Sequence, residues 1–144
     1  MTYRRVLGLD VGTKTIGVAI GYVRTGLSDP IVTIRRQSVR KDTEKILQLC
    51  RKQAIDHVVV GLPLQLDGTE GRSVKLARQI GDAVTASGSY QVSFYDERFS
   101  TVEASRRLRE NGKSSRDQKS IIDQAAAMVI VEDWIRTQKS SNEG

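Results

Sequence analysis

The chain has 144 residues, the size of one ordinary domain with a hydrophobic core of its own. Its single cysteine, Cys50, excludes a disulfide scaffold and is typical of a reducing compartment, and no apolar run approaches the ~20 residues of a membrane span, so we expect a cytoplasmic protein without membrane association. A net charge of +6, from 23 Lys and Arg against 17 Asp and Glu, favours acidic partners and above all nucleic acid.

The first half of the chain predicts three strands, a helix and a fourth strand. A glycine-containing turn over residues 10–15 joins the first two strands as a hairpin or close pair. The helix has apolar residues at helical spacing, with Asp42 or Thr43 available as its N-cap. The fourth strand is a β-branched run stopped by Gly61 and Pro63. The strands are predicted at 5–9, 16–22, 31–36 and 58–60, and the helix at 42–53.

The second half predicts a helix, a strand and two closing helices. These elements are predicted at 70–87, 92–95, 100–110 and 117–137. Helices that alternate with strands in this way favour an α/β fold, with a mixed sheet and helices on its faces. We expect a single domain over residues 1–137, followed by a flexible polar tail over 138–144.

Acidic residues stand where two predicted strands end. Asp10 closes the first strand just before Gly12, which lets the backbone approach a ligand, although an ordinary turn aspartate has the same pattern. Asp96 and Glu97 close the last strand, directly before a capping box that begins at Ser100. The alternative interpretation is that both acids are solvated charges in a loop. Because successive strand residues point to opposite faces, we expect only one of the two to face a site.

Asp123 falls on the apolar face of the last predicted helix. At about 100° per residue it aligns with Ala126 and Ile130, inside the wide apolar arc. A buried carboxylate costs several kcal/mol unless it is paired or binds a cation. We therefore expect a bound cation beside Asp123, or a buried salt bridge to Arg98 or Arg5.

Convergence of Asp10, Glu97 and Asp123 would favour a divalent cation among them, because like charges repel at short range. The chain has no cysteine cluster, and its one histidine, His57, is expected in a surface or capping role at the start of a strand. Oxygen-only ligands suit Mg²⁺ or Mn²⁺, and a pair of such ions activates water and stabilises the leaving oxygen of a phosphodiester. The chemistry predicted is metal-assisted phosphoryl transfer.

Four short blocks of the sequence resemble the signature of the YqgF family. They follow the family's order and spread over nearly the whole chain. The resemblance implies an RNase H-like fold, with a five-stranded mixed sheet of three antiparallel and then two parallel strands, flanked by helices. Its members are described as Holliday junction resolvases and as nucleases that mature the 5′ end of pre-16S ribosomal RNA. The blocks are Asp10-Val11-Gly12-Thr13-Lys14 with Ile16-Gly17-Val18-Ala19, Val60-Gly61-Leu62-Pro63-Leu64, Asp96-Glu97-Arg98-Phe99-Ser100-Thr101, and Ile122-Asp123-Gln124-Ala125-Ala126.

The resemblance implies that Asp10, Glu97 and Asp123 are the catalytic acids and the metal ligands. Asp96 is a candidate fourth ligand, and we rank it below Glu97 because successive strand residues point to opposite faces. The oxygen-only ligands predict two Mg²⁺ or Mn²⁺ ions, and the resemblance implies a nucleic-acid substrate, either precursor rRNA or branched DNA. The protein is expected to act as a monomer or a homodimer, since a two-fold symmetric junction favours a dimer and an RNA end requires none.

Five cations are expected on the substrate side. The resemblance implies that Lys14 and Arg98 contact phosphate or steady the carboxylates, and that Arg72 lines the substrate. Lys14 has the alternative of a solvated turn cation, and Arg98 that of a structural partner for an acid. Lys113 and Arg116 belong to a predicted mobile loop over 111–116, which we expect to close on a phosphate backbone.

Two functions of other classes stay open at this point. The turn after the first strand also resembles the phosphate loop of actin-like ATPases, but those proteins close two such domains around a nucleotide and this chain supplies one. The second alternative is a non-catalytic nucleic-acid-binding factor in ribosome biogenesis or transcription. In that protein, substitution of Asp10 would leave function intact.

Overall fold

A computed structural model describes residues 3–64, 70–99 and 116–143 of the chain. The helix predicted at 100–110 lies outside the described residues. The elements are β1 (Arg5–Val11), β2 (Thr15–Tyr22), β3 (Ser28–Arg35), α1 (Val39–Lys52), β4 (His57–Leu62), α2 (Arg72–Ala86), β5 (Val92–Asp96), a short 3₁₀ helix (Glu97–Phe99) and α3 (Arg116–Glu143).

The five strands form one mixed sheet in the order β3-β2-β1-β4-β5. The first three strands pair antiparallel, whereas β4 lies parallel to β1 and β5 lies parallel to β4. This arrangement confirms the predicted α/β fold. The central strand is β1, as expected of a strand that is apolar on both faces, and residues Val6 to Val11 are all buried.

Helices cover both faces of the sheet, and alternation along β1 shows which residues face which layer. Leu7, Leu9 and Val11 belong to a core cluster that includes residues of α1 and α2. Val6 belongs to a second cluster formed with α3, on the opposite face. The α3 face is the one that positions the candidate site.

Helix α3 lies very close to the sheet because glycines stand beneath it. A Cβ atom added to Gly8 would come within 2.8 Å of the Ala127 carbonyl oxygen and of the Val131 Cβ. One added to Gly21 would come within 2.7 Å of the Val131 side chain. Real Cβ contacts are wider than these, so the helix sits where it does because these strand positions lack a side chain.

Strand β3 begins at Ser28, three residues before the predicted start at 31, and includes Pro30. A proline cannot donate a ladder hydrogen bond, but β3 is an edge strand and tolerates one. The β2–β3 pairing also shifts register between Val18 and Ala19. That irregularity and the proline hide the first residues of the strand from an alternation pattern.

Helix α1 begins at Val39, ahead of the predicted start at 42. Its N-cap is Ser38, whose Oγ accepts a 3.1 Å hydrogen bond from the Lys41 backbone nitrogen. Neither Asp42 nor Thr43 is the cap. Asp42 is fully buried in the first turn, where it pairs with Arg36 at 3.2 Å.

Helix α3 runs through Glu143, so its backbone continues beyond the predicted end at 137 and through most of the segment assigned to a polar tail. Lys139 donates a 3.4 Å hydrogen bond from Nζ to the Arg24 carbonyl oxygen. This bond connects α3 to the turn after β2. In the part of the chain that the structure describes, no helix is both long and apolar enough to span a membrane.

Candidate active site

Asp10 is the next-to-last residue of the central strand and is 1% exposed. Its neighbours in the strand, Leu9 and Val11, face the α1 and α2 layer. Because side chains alternate along a strand, Asp10 faces the α3 layer, as Gly8 does. The strand that makes the core therefore also carries a carboxylate into the interior at its carboxyl end.

Asp123, on α3, is also 1% exposed, and it lies against the strand next to Asp10. Gly17 of β2 pairs with Asp10 across the sheet, and a Cβ on Gly17 would come within 2.1 Å of the Asp123 carbonyl oxygen. The side chain of Asp123 accepts a 2.7 Å hydrogen bond at Oδ2 from the Thr15 Oγ1. These contacts fix the helix backbone and the carboxylate beside the end of β1.

Glu97 begins the 3₁₀ helix after β5 and is 3% exposed. Its carboxylate lies over Gly61 of β4, where an added Cβ would come within 3.0 Å of the Glu97 Cδ and Oε2 atoms. The parallel pairing of β1 with β4 reaches Leu9 and Val60, one residue before Asp10 and Gly61. Glu97 is therefore held on the opposite side of Asp10 from Asp123.

The three acids lie on one face of three adjacent strands. Asp123 lies over Gly17 in β2, Asp10 stands in β1, and Glu97 lies over Gly61 in β4. Adjacent strands are about 4.8 Å apart, so the row spans about 10 Å. Three buried carboxylates in such a row need compensating charge or hydrogen bonds, because burial penalises an uncompensated carboxylate.

The donor chemistry of this row fits a hard divalent cation, since all six side-chain atoms that it offers are carboxylate oxygens. Across residues 3–64, 70–99 and 116–143, no group of three or more His, Cys, Asp or Glu is drawn together tightly enough to hold a metal ion. Mg²⁺ is usually held by one or two carboxylates, with water and substrate phosphate as its other ligands. The row therefore fits ions held by one or two of its acids, and does not form a closed three-ligand cage.

Asp96 points elsewhere and pairs with Arg98. The Arg98 Nη2 lies 2.6 Å from the Asp96 Oδ2, and the Arg98 backbone nitrogen donates a 3.0 Å hydrogen bond to Oδ1. These hydrogen bonds hold the pKa of Asp96 below its ordinary value. The side chain of Asp96 is 26% exposed, whereas Glu97 is buried, which supports ranking Glu97 first.

Lys14 is exposed in the turn between β1 and β2, next to the Thr15 that contacts Asp123. Arg36 stabilises this turn, because its Nη1 donates a 3.1 Å hydrogen bond to the Gly12 carbonyl oxygen. The Arg36 backbone nitrogen donates a 2.9 Å hydrogen bond to the Lys14 carbonyl oxygen. Lys14 is thus an exposed cation on a fixed turn at the carboxylate end of the sheet.

Of the other three cations predicted on the substrate side, the structure describes the side chain of one. Arg72 is exposed in the first turn of α2, which follows β4 at the same edge of the sheet as the acids. Lys113 lies outside the described residues, and Arg116 is the residue at which the α3 backbone begins. Their predicted closure on a phosphate backbone stays a prediction.

His57 was expected at the surface or as a cap, and that expectation is wrong. The side chain is 3% exposed and stacks between Tyr3 and Trp134, with ring centroids 4.5 and 5.0 Å away. Its Nε2 lies 2.8 Å from the Ser93 Oγ. Both stacking partners are far from His57 in sequence, so a local pattern does not indicate them.

Thr15, Gly17 and Gly61 contribute to the site although they were not predicted as functional residues. Thr15 contacts an acid directly, and the two glycines make room for Asp123 and Glu97. The available signal was a glycine inside an otherwise apolar strand, which marks a close approach by another part of the chain.

The model of the family described as "RuvX: Holliday junction resolvase" matches residues 4–137 of the chain. The chain belongs to the RuvX family. This is the YqgF family that the four sequence blocks resemble, so the match confirms that prediction. RuvX relatives include proteins named "Putative pre-16S rRNA nuclease". One from Myxococcus xanthus is 39% identical over 91% of this chain and 87% of its own length. One from Caldanaerobacter subterraneus is 40% identical over 95% of this chain and 99% of its own length.

Solved structures similar to this RuvX family member show the same fold. RuvC of Thermus thermophilus, in complex with a Holliday junction substrate, superposes with a TM-score of 0.59 at 12% identity, covering 95% of this chain and 96% of RuvC. A Fowlpox virus resolvase in complex with Holliday junction DNA gives a TM-score of 0.51 at 12% identity, covering 93% of this chain and 98% of the resolvase. These likenesses confirm the expected RNase H-like architecture.

Proposed function

We propose that this RuvX family protein is a metal-dependent nuclease that hydrolyses phosphodiester bonds of structured nucleic acid. The observation that carries the proposal is the row of three buried carboxylates, Asp123, Asp10 and Glu97, on one face of β2, β1 and β4. Anions at this edge repel phosphate unless divalent cations neutralise them, so the row favours a metal-dependent nuclease over a protein that only binds nucleic acid.

The row would hold divalent metal ions, Mg²⁺ or Mn²⁺, with two ions as the predicted number. When bound, such ions supply a nucleophilic water and stabilise the leaving oxygen of the phosphodiester. Asp10, at the centre, lies next to both of the other acids. The chain's own contribution is rigid placement, because Asp10 is fixed by the central strand and Asp123 by the Thr15 hydrogen bond and by close contact with Gly17.

Precursor 16S rRNA is the substrate that we propose first. Relatives 38–40% identical over most of the chain carry the name of a nuclease of that RNA. Branched DNA is the second candidate, and the observation that favours it is the description of the RuvX family as Holliday junction resolvases. The net charge of +6 suits either polyanion.

The first experiment offers the purified protein a precursor 16S rRNA 5′ end and a four-way DNA junction side by side, with Mg²⁺ or Mn²⁺. We expect the wild type to cut one of them, and Asp10→Asn, Glu97→Gln and Asp123→Asn to lose at least 100-fold in rate. The matched control is Asp133→Asn, also on α3, whose carboxylate pairs with Arg136 at 3.0 Å, away from the row. The control should cut as the wild type does.

Three results would overturn the proposal. Cutting that survives all three acid substitutions would assign the activity to a contaminant. Equal losses in Asp133→Asn and Asp123→Asn would indicate a general effect of charge on α3. Binding of either substrate without cutting, alike in wild type and variants, would favour the non-catalytic nucleic-acid-binding factor.

We also propose that this nuclease works in the cytoplasm. Cys50 is buried, and burial raises the pKa of its thiol to about 12, so the group is an inert part of the core that suits a reducing compartment.

An RNA end can be trimmed by a monomer, whereas a junction with two-fold symmetry calls for a homodimer. Sedimentation of the protein with each substrate would distinguish the two assemblies.

A further inference from the structure

The solvent-facing side of α1 is strongly basic. The helix carries five exposed cations, and Glu44 is its one exposed acid, since Asp42 is buried and paired with Arg36. None of the five forms a salt bridge with any residue in the ranges 3–64, 70–99 and 116–143. The five cations are Arg40, Lys41, Lys45, Arg51 and Lys52.

Three of these cations form a stripe along the helix. At about 100° per residue, Lys41, Lys45 and Lys52 fall within about 40° of one another around the axis. The residue between them on the same line is Gln48, which is exposed and uncharged. The helix rises about 1.5 Å per residue, so Lys41 and Lys52 stand about 17 Å apart, and this distance equals about five steps of 3.4 Å along the axis of a nucleic-acid duplex.

The stripe begins at the same edge of the sheet as the acids. Ser38 and Lys41 follow β3 at the end where the β1–β2 turn lies, and Arg36 connects them by its backbone hydrogen bond to the Lys14 carbonyl oxygen. Lys14 precedes Thr15, which contacts Asp123. Exposed cations therefore continue from the acids, through Lys14, onto α1.

The stripe then leaves the active-site layer. Helix α1 packs in the core cluster that contains Leu7 and Ile46, on the face of the sheet opposite α3. Its last turn, with Lys52, reaches the far edge of the sheet, where the following Ile55 precedes β4. A nucleic-acid strand that Lys14 binds near the acids, and that continues along α1, would pass around the edge of the β-sheet.

We propose that Lys41, Lys45 and Lys52 form a phosphate track, a second binding surface that holds the sugar–phosphate backbone of the substrate beyond the cleavage site. The inference rests on the proposed nuclease function and adds where the uncut part of the nucleic acid lies. Lysine ammonium groups at intervals of one to two helical turns match a flexible polyanion, and they read no sequence. The track therefore favours long substrates over short ones and does not select bases.

The test measures binding in the cleavage-impaired Asp10→Asn background, so that the substrate stays intact. The probe is a fluorescently labelled RNA stem–loop with a single-stranded extension, titrated at several salt concentrations. Into that background we introduce Lys41→Gln, Lys45→Gln and Lys52→Gln together. The matched control removes the same charge on the α3 side through Arg24→Gln, Arg136→Gln and Lys139→Gln, and thermal unfolding checks that both proteins fold.

We expect the track variant to bind the RNA at least tenfold more weakly and to lose about 2 units from the slope of log K against log salt, because each phosphate contact contributes about 0.7 to 0.9. The control should lose less than half as much. In the wild-type background, the track variant should raise the KM for a long substrate and leave its kcat unchanged.

Failure of the track and failure of the nuclease give different results. If the wild type cuts and the track variant binds RNA as tightly as its Asp10→Asn parent does, the track is wrong and the nuclease stands. If the wild type does not cut but the track variant loses its binding and salt slope, the nuclease is wrong and the track stands as a binding surface. Equal losses in the track and control variants, or no RNA binding by either background, would overturn the track.

Discussion

The Thr15 Oγ1 donates a 2.7 Å hydrogen bond to the Asp123 Oδ2, joining the start of β2 to α3 across 108 positions of sequence. A hydroxyl that donates to a buried carboxylate fixes the orientation of that carboxylate. The bond therefore makes Thr15 a positioning residue for the proposed metal site.

Thr15→Val should impair the proposed cleavage without abolishing it. Valine keeps the shape of threonine but cannot donate, and a hydrogen bond to a charged group is worth about 1.5 to 3 kcal/mol. We expect about a tenfold loss in rate and a higher Mg²⁺ concentration at half-maximal activity. Thr15→Ser, which keeps the hydroxyl, should restore both values, and equal behaviour of the valine and serine variants would exclude the positioning role.

Gly17→Ala should disrupt the seat of α3 on the sheet. The added Cβ would come within 2.1 Å of the Asp123 carbonyl oxygen, a backbone atom that moves only with the helix. Overpacking of this kind costs about 3 kcal/mol. Gly26→Ala is the control, because Gly26 has open space around it and its penalty, from a φ of +75°, is about 1 kcal/mol. Urea unfolding compares the two, and equal losses would contradict the close approach.

Asp42 and Arg36 should prove essential to the turn that carries Lys14. Asp42 is fully buried, and the side chain of Arg36 is 11% exposed while it also holds the Gly12 carbonyl oxygen. Removing one partner of a buried pair costs about 3 to 5 kcal/mol, because the other charge is left uncompensated. We expect that loss in the unfolding free energy of Asp42→Ala.

Replacing both partners of this pair together should cost less than replacing one. The variant Arg36→Met with Asp42→Leu leaves no uncompensated charge, so it should recover part of the stability that Asp42→Ala loses. It would still lack the hydrogen bond to the Gly12 carbonyl oxygen, and we expect the turn to stay loose and the rate of cleavage low. A double variant no more stable than Asp42→Ala would contradict coupling between the two residues.

Local sequence patterns predicted much of the fold and part of the site. In an alternating α/β chain, the β-branched run of β4 and the apolar run of β1 both indicate buried strands. The structure pairs these two strands. Asp123 was recognisable because helical phase places it on a buried face, and its burial confirms that reading. These features depend on residues close together in the chain.

Features that depend on specific side-chain contacts were not predictable in the same way. Asp42 had the sequence pattern of an N-cap, but its side chain is buried in a pair with Arg36, and Ser38 caps the helix. His57 lies at a strand start, yet stacking with Tyr3 and Trp134 buries it. Periodicity carries no information about such partners.

Asp96 should contribute to stability and not to the proposed chemistry. Its side chain bonds Arg98, which lowers its pKa from the ordinary value of 3.8. A depressed carboxylate pKa stabilises the fold at pH values above 3.8, and this contribution is lost as the pH falls through the lowered pKa. Asp96→Asn should therefore lower the unfolding free energy at neutral pH and leave a smaller difference in strong acid.

Cleavage distinguishes Asp96 from its neighbour. Asp96→Asn should keep more than a third of the wild-type rate, whereas Glu97→Gln should lose nearly all of it, because the carboxylate of Glu97 lies over Gly61 beside Asp10. The two variants change one oxygen to nitrogen at adjacent positions, so each serves as the matched control of the other. A dead Asp96→Asn variant that folds normally would place Asp96 among the metal ligands.

His57 should make the protein less stable in mild acid. The ring is buried between Tyr3 and Trp134, and desolvation lowers its pKa from 6.5. Below pH 6.5 the unfolded chain binds a proton that the folded chain refuses, so the unfolding free energy falls with pH by up to about 1.4 kcal/mol per unit until the lowered pKa is reached.

The substitution His57→Phe isolates this contribution. Phenylalanine keeps a ring between Tyr3 and Trp134 but has no proton to bind, although it gives up the contact with the Ser93 Oγ. Urea unfolding from about pH 8 down to about pH 5 should show a stability that falls less steeply in the variant than in the wild type. Carboxylates titrate in both proteins, so the difference between the two profiles isolates His57. Parallel profiles would show that His57 takes up its proton in the folded state as readily as in the unfolded one.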